Sequence, residues 1–167
     1  VTAMERRKIL HKRVRVTDSA LRKAGAQRRL AAEREVRLII EAAIAGRSQT
    51  AIAKLVGVSQ PHISRTIAAV KRQNDGHLRV EPKSALDIID ERDAGEIDTR
   101  MMMRKLGNAD YTDGHVPDVD GVATDAYVRG SWDDIEYAFQ QDRLTFEQYS
   151  ELFRAHRASR KTAVAYE

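Results

Sequence analysis

Between Gln49 and Ile67 the chain reads QTAIAKLVGVSQPHISRTI, and this spacing leaves few ways to fold. Ser48 can cap a helix whose packing positions are Ile52, Ala53 and Val56. Gly57 then supplies the positive φ that a tight turn needs, and Ser59 caps a second helix. Pro61 is tolerated because its missing N–H falls among the unbonded donors of a first turn. Val58 and Ile63 complete the apolar anchors, and Ala53 stands where two helices cross so closely that a larger side chain would push them apart. The pattern predicts a helix-turn-helix.

The flanks extend it. Arg6 to Val16, RRKILHKRVRV, is basic without a firm apolar period, so residues 1–16 are expected to form a basic arm. Thr17-Asp18-Ser19 can start a helix with a weak apolar face of Leu21, Ala24, Leu30 and Ala31, in which Gly25 weakens continuity. Val36, Ile39, Ile40, Ala43 and Ile44 then fall at helical spacing before Gly46, predicting a buried helix that ends there. Asn74-Asp75-Gly76 closes the unit, and His77 to Pro82 reads as a linker in preference to a short wing strand. From Ser84 the helical pattern resumes with Leu86, Ile88 and Ile89, then Ile97, Met101, Met102 and Leu106, with Asp98 or Thr99 as the second cap. Asn108 to Gly130, rich in Asp and Gly, is expected to be a long loop. Ser131 to Phe153 repeats the first hairpin at an offset of 47 residues, pairing Ser84 with Ser131, Asp87 with Asp134, Ile88 with Ile135, Ile97 with Leu144, Met102 with Tyr149 and Leu106 with Phe153. Either the hairpins bury their apolar faces against each other as a four-helix unit, or the match is a coincidence of helical patterns. The expected fold is all-α in both cases: a helix-turn-helix domain over 17–76, a linker over 77–83, and a C-terminal helical domain of two helix hairpins over 84–160.

Composition narrows the chemistry. The absence of cysteine removes disulfides, thiolate zinc sites and thiol nucleophiles, and fits a reducing compartment. No apolar run approaches the ~18 residues of a membrane span, and the start lacks the apolar core of a signal peptide, so a cytoplasmic location without membrane contact is expected. Charge is divided unevenly. Residues 1–79 hold 18 Lys and Arg against 6 Asp and Glu, whereas residues 80–167 hold 11 against 19. A half at +12 beside a half at −8 calls for a polyanionic partner, with nucleic acid the leading candidate, double-stranded DNA once the helix-turn-helix is counted, and a merely solubilising basic face the alternative. Asp118-Val119-Asp120-Gly121 invites a calcium-loop reading that fails on spacing: with Gly121 at the turn position, Val116 takes the first ligand place and Tyr127 the place of the bidentate Glu. With no nucleotide-binding glycine loop and no carboxylate set at metal spacing, neither catalysis, a cofactor nor a metal is expected.

Over Arg34 to Arg72 the residues resemble the helix-turn-helix family of bacterial and phage regulators. The resemblance implies a second helix in the major groove, its N-terminal residues on base edges. Gln60, His62, Ser64 and Arg65 become candidate base readers, since Gln can pair bidentately with adenine and Arg with guanine. Gln49, Ser59, Lys71 and Arg72 suit phosphate. Each has a plainer alternative: His62 as a surface residue, Ser64 bonded to its own backbone. Arg6, Arg7, Lys8, Lys12, Arg13 and Arg15 either track phosphate or a minor groove, or form a solubilising tail. Thr66 departs from the pattern, which favours an apolar residue there, and Ile67 is the substitute.

One such module buries about 600–1,000 Å² on DNA, short of the ~1,000–2,500 Å² common in specific complexes. Two remedies exist: a homodimer on a palindrome, or a second reader in the same chain on an asymmetric site. No sustained heptad and few aromatics are present to build a dimer face. Basic candidates for a second reader are Arg100, Arg104 and Lys105, and Arg157 among Arg154, His156, Arg160 and Lys161, with a solvated charged face as the alternative for both groups. The segments ALDIIDERDAGEIDTRMMMRKL and RGSWDDIEYAFQQDRLTFEQYSELF behind a basic helix-turn-helix resemble the immunity repressors of temperate mycobacteriophages and related actinobacterial regulators. That resemblance implies a transcriptional repressor in the bacterial host cytoplasm that maintains lysogeny by binding asymmetric operator-like sites with both domains, as a monomer. The rival is a DNA-recognition subunit of a phage packaging or recombination complex, whose acidic half binds a protein.

Overall fold

Thr17 opens the first helix, its Oγ1 accepting the Ala20 N–H at 3.1 Å. The computed structural model describes residues 16–111, 118–119, 122–123 and 130–164. Within them the fold is all-α, with seven helices: α1 (Asp18–Ile44), α2 (Gln49–Val56), α3 (Gln60–Gln73), α4 (Ala85–Asp93), α5 (Thr99–Gly107), α6 (Asp133–Gln140) and α7 (Phe146–Val164). In the segment expected to be a loop, β1 (Asp118–Val119) and β2 (Val122–Ala123) form a two-residue antiparallel ladder that pairs Asp118 with Ala123 and Val119 with Val122. Residues 1–15 of the basic arm, Arg13 and Arg15 among them, and Asp120 and Gly121 of the Asp118–Gly121 motif lie outside the described residues. None of the helices described is long and apolar enough to cross a membrane.

The α1 helix passes through Gly25, where continuity was expected to be weakest. It runs unbroken for 27 residues, because its neighbours are good helix formers and one glycine costs only about 1 kcal/mol. Its buried stripe also has a different register at the N-terminal end: Ala26 and Leu30 are covered, while Leu21, Ala24 and Ala31 are exposed. Ala26 and Leu30 close on Ala94 at the end of α4. At the other end Ile39 and Ile40 join Ile52, Ala53, Ile63 and Ile67 in the first core, with Val36 and Ile44 exposed at the limits of that run. Leu78 and Val80 also pack against this core, so the connector lies along the domain.

The second core gathers Ile88, Ile89, Met102, Leu106, Ile135, Ala138 and Leu152 from all four C-terminal helices, with Trp132 and Leu144 from just before α6 and α7. The two hairpins are structural repeats at the offset of 47. Each turn carries a left-handed residue at the same place, Gly95 (φ 82°) and Asp142 (φ 54°). Their backbone hydrogen bonds coincide: Ala94 to Asp90, Gly95 to Arg92 and Glu96 to Glu91 match Gln141 to Tyr137, Asp142 to Phe139 and Arg143 to Ala138. At the hairpin starts Asp87 accepts from the N–H and hydroxyl of Ser84, both at 2.8 Å, and Asp134 accepts from Gly130 N–H at 3.0 Å. The equivalence lapses in the last helix. Leu152 is 3% exposed and Phe153 38%, so α7 turns a different edge inward from α5. Aromatic packing accounts for that rotation: Trp132 stacks on His156 at 4.5 Å, Phe139 stacks on Tyr149 at 4.6 Å, and Tyr111 meets Trp132 edge-on at 5.4 Å.

Ionic contacts link the elements. Glu91 is buried between Lys83 of the connector and Lys105 of α5, whose ammonium lies 2.7 Å away. Burial pushes this carboxyl up, but hydrogen bonds from Lys105 and Lys83 outweigh it and hold Glu91 below the ordinary carboxylate range. A carboxyl depressed on folding stabilises the protein above its unfolded value, and that contribution disappears as pH falls through and below about 4.3. Glu91→Gln is therefore expected to flatten the acid limb of stability. Urea midpoints from pH 6 to pH 3 test this, and parallel limbs for both proteins would rule it out.

Candidate nucleic-acid interface

The helix-turn-helix is built as its spacing requires. Ser48 Oγ accepts from Ala51 N–H at 3.2 Å, and Ser59 Oγ accepts from His62 N–H at 3.4 Å. Gly57 takes φ 80°, which lets its N–H and that of Val58 both reach the Ala53 carbonyl, at 2.9 and 3.1 Å. Such a left-handed residue disfavours any side chain. Thr66, the departure from the pattern, faces neither core nor open solvent: its hydroxyl donates to the His62 carbonyl at 3.0 Å. Ile67 is the buried residue at that turn.

At ~100° per residue, the covered face of α3 is centred on Ile63 and Ile67, and Pro61, Arg65, Ala68 and Arg72 form the opposite ridge. All four are exposed. Gln60, Ser64 and Lys71 share one flank, and His62 stands on the other, about 160° round from Gln60 and Ser64. The four residues expected to read bases thus occupy both shoulders of the helix, with Arg65 between them. Gln60 donates its amide to Gln49 Oε1 at 2.6 Å, joining the starts of α2 and α3. This uses one amide hydrogen, and the second, with the carbonyl oxygen, matches adenine N7 and N6. Gln49 and Ser59 sit where two helix N-termini direct unbonded N–H groups outward, an arrangement suited to phosphate oxygens. Sequence reasoning passed over Ala68, a methyl on the exposed ridge suited to a thymine methyl, and Arg47, exposed just before the Ser48 cap. The signal for Ala68 was present, in its spacing of three residues from Arg65.

The second basic group is less uniform. Arg100 and Arg104 are exposed on α5, and Arg104 donates to the Met101 thioether at 2.8 Å. Lys105 is committed to Glu91. Lys83, Arg104, Lys105 and Asn108 line one shallow cleft of about 490 Å³ with Ile88 and Met101. Lys83, read as linker, belongs to this group and was not foreseen, because Glu91 draws it there across eight residues. Arg157 lies apart on α7, its guanidinium 5.7 Å from the Phe153 ring centre. Among the described residues no three His, Asp or Glu side chains stand together as a metal-binding group. Compared with known proteins, the chain matches no family model, no curated protein and no solved structure.

Proposed function

We propose that this protein is a sequence-specific DNA-binding repressor, acting without catalysis in the cytoplasm of a bacterial host by occupying operator-like sites. The observation that carries the reading is the α3 ridge: Pro61, Arg65, Ala68 and Arg72 exposed along one line, flanked by Gln60 and Ser64 and backed by a closed apolar core. A helix presented in this way fits the major groove, with Gln60, Ser64, Arg65 and His62 at base edges and Gln49, Ser59, Lys71 and Arg72 at phosphates. The resemblance of the two hairpins to phage immunity repressors supports maintenance of lysogeny as the biological role. It also supports a monomer that reads an asymmetric site with both halves, in which Arg100, Arg104 and Arg157 supply the second set of contacts and Lys105 a weaker one because Glu91 already neutralises it.

Selection of bound sequences from random duplex DNA tests this directly. The full chain is expected to return a long, non-palindromic consensus in two parts. Arg65→Ala should cost ~1–3 kcal/mol and relax preference at one position of the first part. The triple variant Arg100→Ala, Arg104→Ala, Arg157→Ala should retain the first part and lose the second. A palindrome bound by a dimer would overturn the monomeric reading. Uniform weakening by Arg65→Ala across all sequences would move that side chain to phosphate.

A further inference from the structure

The helix that completes the first core also docks on the C-terminal helices, through a separate small apolar cluster with Ala94 at the end of α4. Along α1, Ala26, Leu30, Glu33, Arg37 and Ile40 follow one another at helical spacing, so a single stripe runs from the α4 contact to the helix-turn-helix core. At the α4 end Ala26 is fully covered. Beside it the Arg29 guanidinium grips the Asp90 carboxylate with three hydrogen bonds of 2.7–3.1 Å, and Asp90, 4% exposed, is held from the other side by Arg143 of the second hairpin. Arg34 forms a two-pronged pair with Glu96 one turn further on. Arg37, steadied by Glu33, donates to the Glu81 carbonyl of the connector at 3.0 Å. Small polar interfaces between domains normally permit relative motion. This one combines an apolar seat, a buried carboxylate shared between two arginines, and a second tether through the connector.

We infer that the N-terminal half of α1 is a strut that fixes the distance and rotation between the recognition helix and the second domain. Ala26, Arg29, Leu30 and Arg34, with Ala94, Asp90 and Glu96, are then positioning residues that set the spacing between the two parts of the DNA site. The inference rests on the proposed reading of DNA by both halves. Each added base pair moves the second part about 3.4 Å along the duplex and about 35° around it. One unbroken helix whose two seats, Ala26 with Leu30 and Ile39 with Ile40, lie within about 21 Å along its axis cannot follow such a step without giving up one set of contacts. Losing one set removes the gain that comes from linked binding.

The experiment uses the full chain and duplexes recovered by selection, in the parent form and with one or two base pairs inserted between the two parts of the consensus. Wild type is expected to lose at least ~10-fold in affinity for one inserted pair. Ala26→Glu/Arg29→Ala places a carboxylate in the closed seat with Ala94 and removes the cation from Asp90, and should reduce that penalty to below about 3-fold. Its two cores should also tumble with separate correlation times in ¹⁵N relaxation, while those of wild type share one. Arg29→Ala/Arg34→Glu alters only half-exposed side chains and should loosen the spacing in the same direction, with Glu96→Arg added to it restoring part of the steepness. A penalty as steep in the loosened variants as in wild type, with unchanged tumbling, overturns the strut and leaves the two-part reading intact. A selected consensus with only one part overturns that reading, and the strut's role in DNA recognition with it.

Discussion

Replacing Ile63 with alanine is expected to lower the stability of the first core by about 2–5 kcal/mol and to abolish specific DNA binding at growth temperature. Ile63 is completely covered and lies among Ile39, Ile40, Ile52, Ala53 and Ile67, so the lost atoms leave a cavity that three helices must collapse to fill. The site cannot collapse freely, because Ala53 already lets the helices approach closely and Gly57 fixes the turn between them. Ile67, at the rim of the core, should be less sensitive. The measurement is urea unfolding followed in parallel by circular dichroism and by the fluorescence of Trp132, the sole tryptophan, which belongs to the second core. An unchanged dichroism midpoint would show that Ile63 does not hold the unit together.

Asp90→Ala is expected to cost about 3 kcal/mol, at the lower end of what is seen when one partner of a buried ion pair is removed. The carboxylate is buried, whereas the Arg29 side chain is 46% exposed and Arg143 keeps Asp93 at 2.9 Å, so neither guanidinium is left wholly without water or a partner. The loss should include separation of α1 from α4, visible as faster amide exchange in the N-terminal half of α1. A change below about 1 kcal/mol would place Asp90 with ordinary surface pairs and remove the physical basis for a rigid junction.

Much of this was legible in the residue order. Ser48, Gly57 and Ser59 are local instructions whose effects act within a few residues, and each cap and the left-handed turn form where spacing puts them. The repeated hairpin was legible for the same reason, as Gly95 and Asp142 occupy equivalent turn positions. The register of the first half of α1 was not. Leu21 and Ala24 are as apolar as Ala26 and Leu30, and only the position of Ala94, more than sixty residues away, selects which of them is covered. The last turn of the repeat failed similarly: Leu152 and Phe153 are both apolar, and stacking around Trp132 rotates the helix so that Leu152 faces inward. Lys83 was hidden because nothing in its immediate neighbours announces that Glu91 is buried and requires a second cation.

By itself the sequence determined the helices, their caps and turns, the two apolar cores, and the division of charge between the halves, since these follow from backbone preferences and hydrophobic spacing over short range. Only the tertiary structure decided that α1 joins the first core and also closes a separate seat with Ala94, that Asp90 is the point where three elements meet, and that Gln60 and His62 lie on opposite shoulders of one helix. Those outcomes depend on which of several equally apolar or equally charged residues a distant surface covers, and a carboxylate gains its two arginines only when the fold has removed it from water.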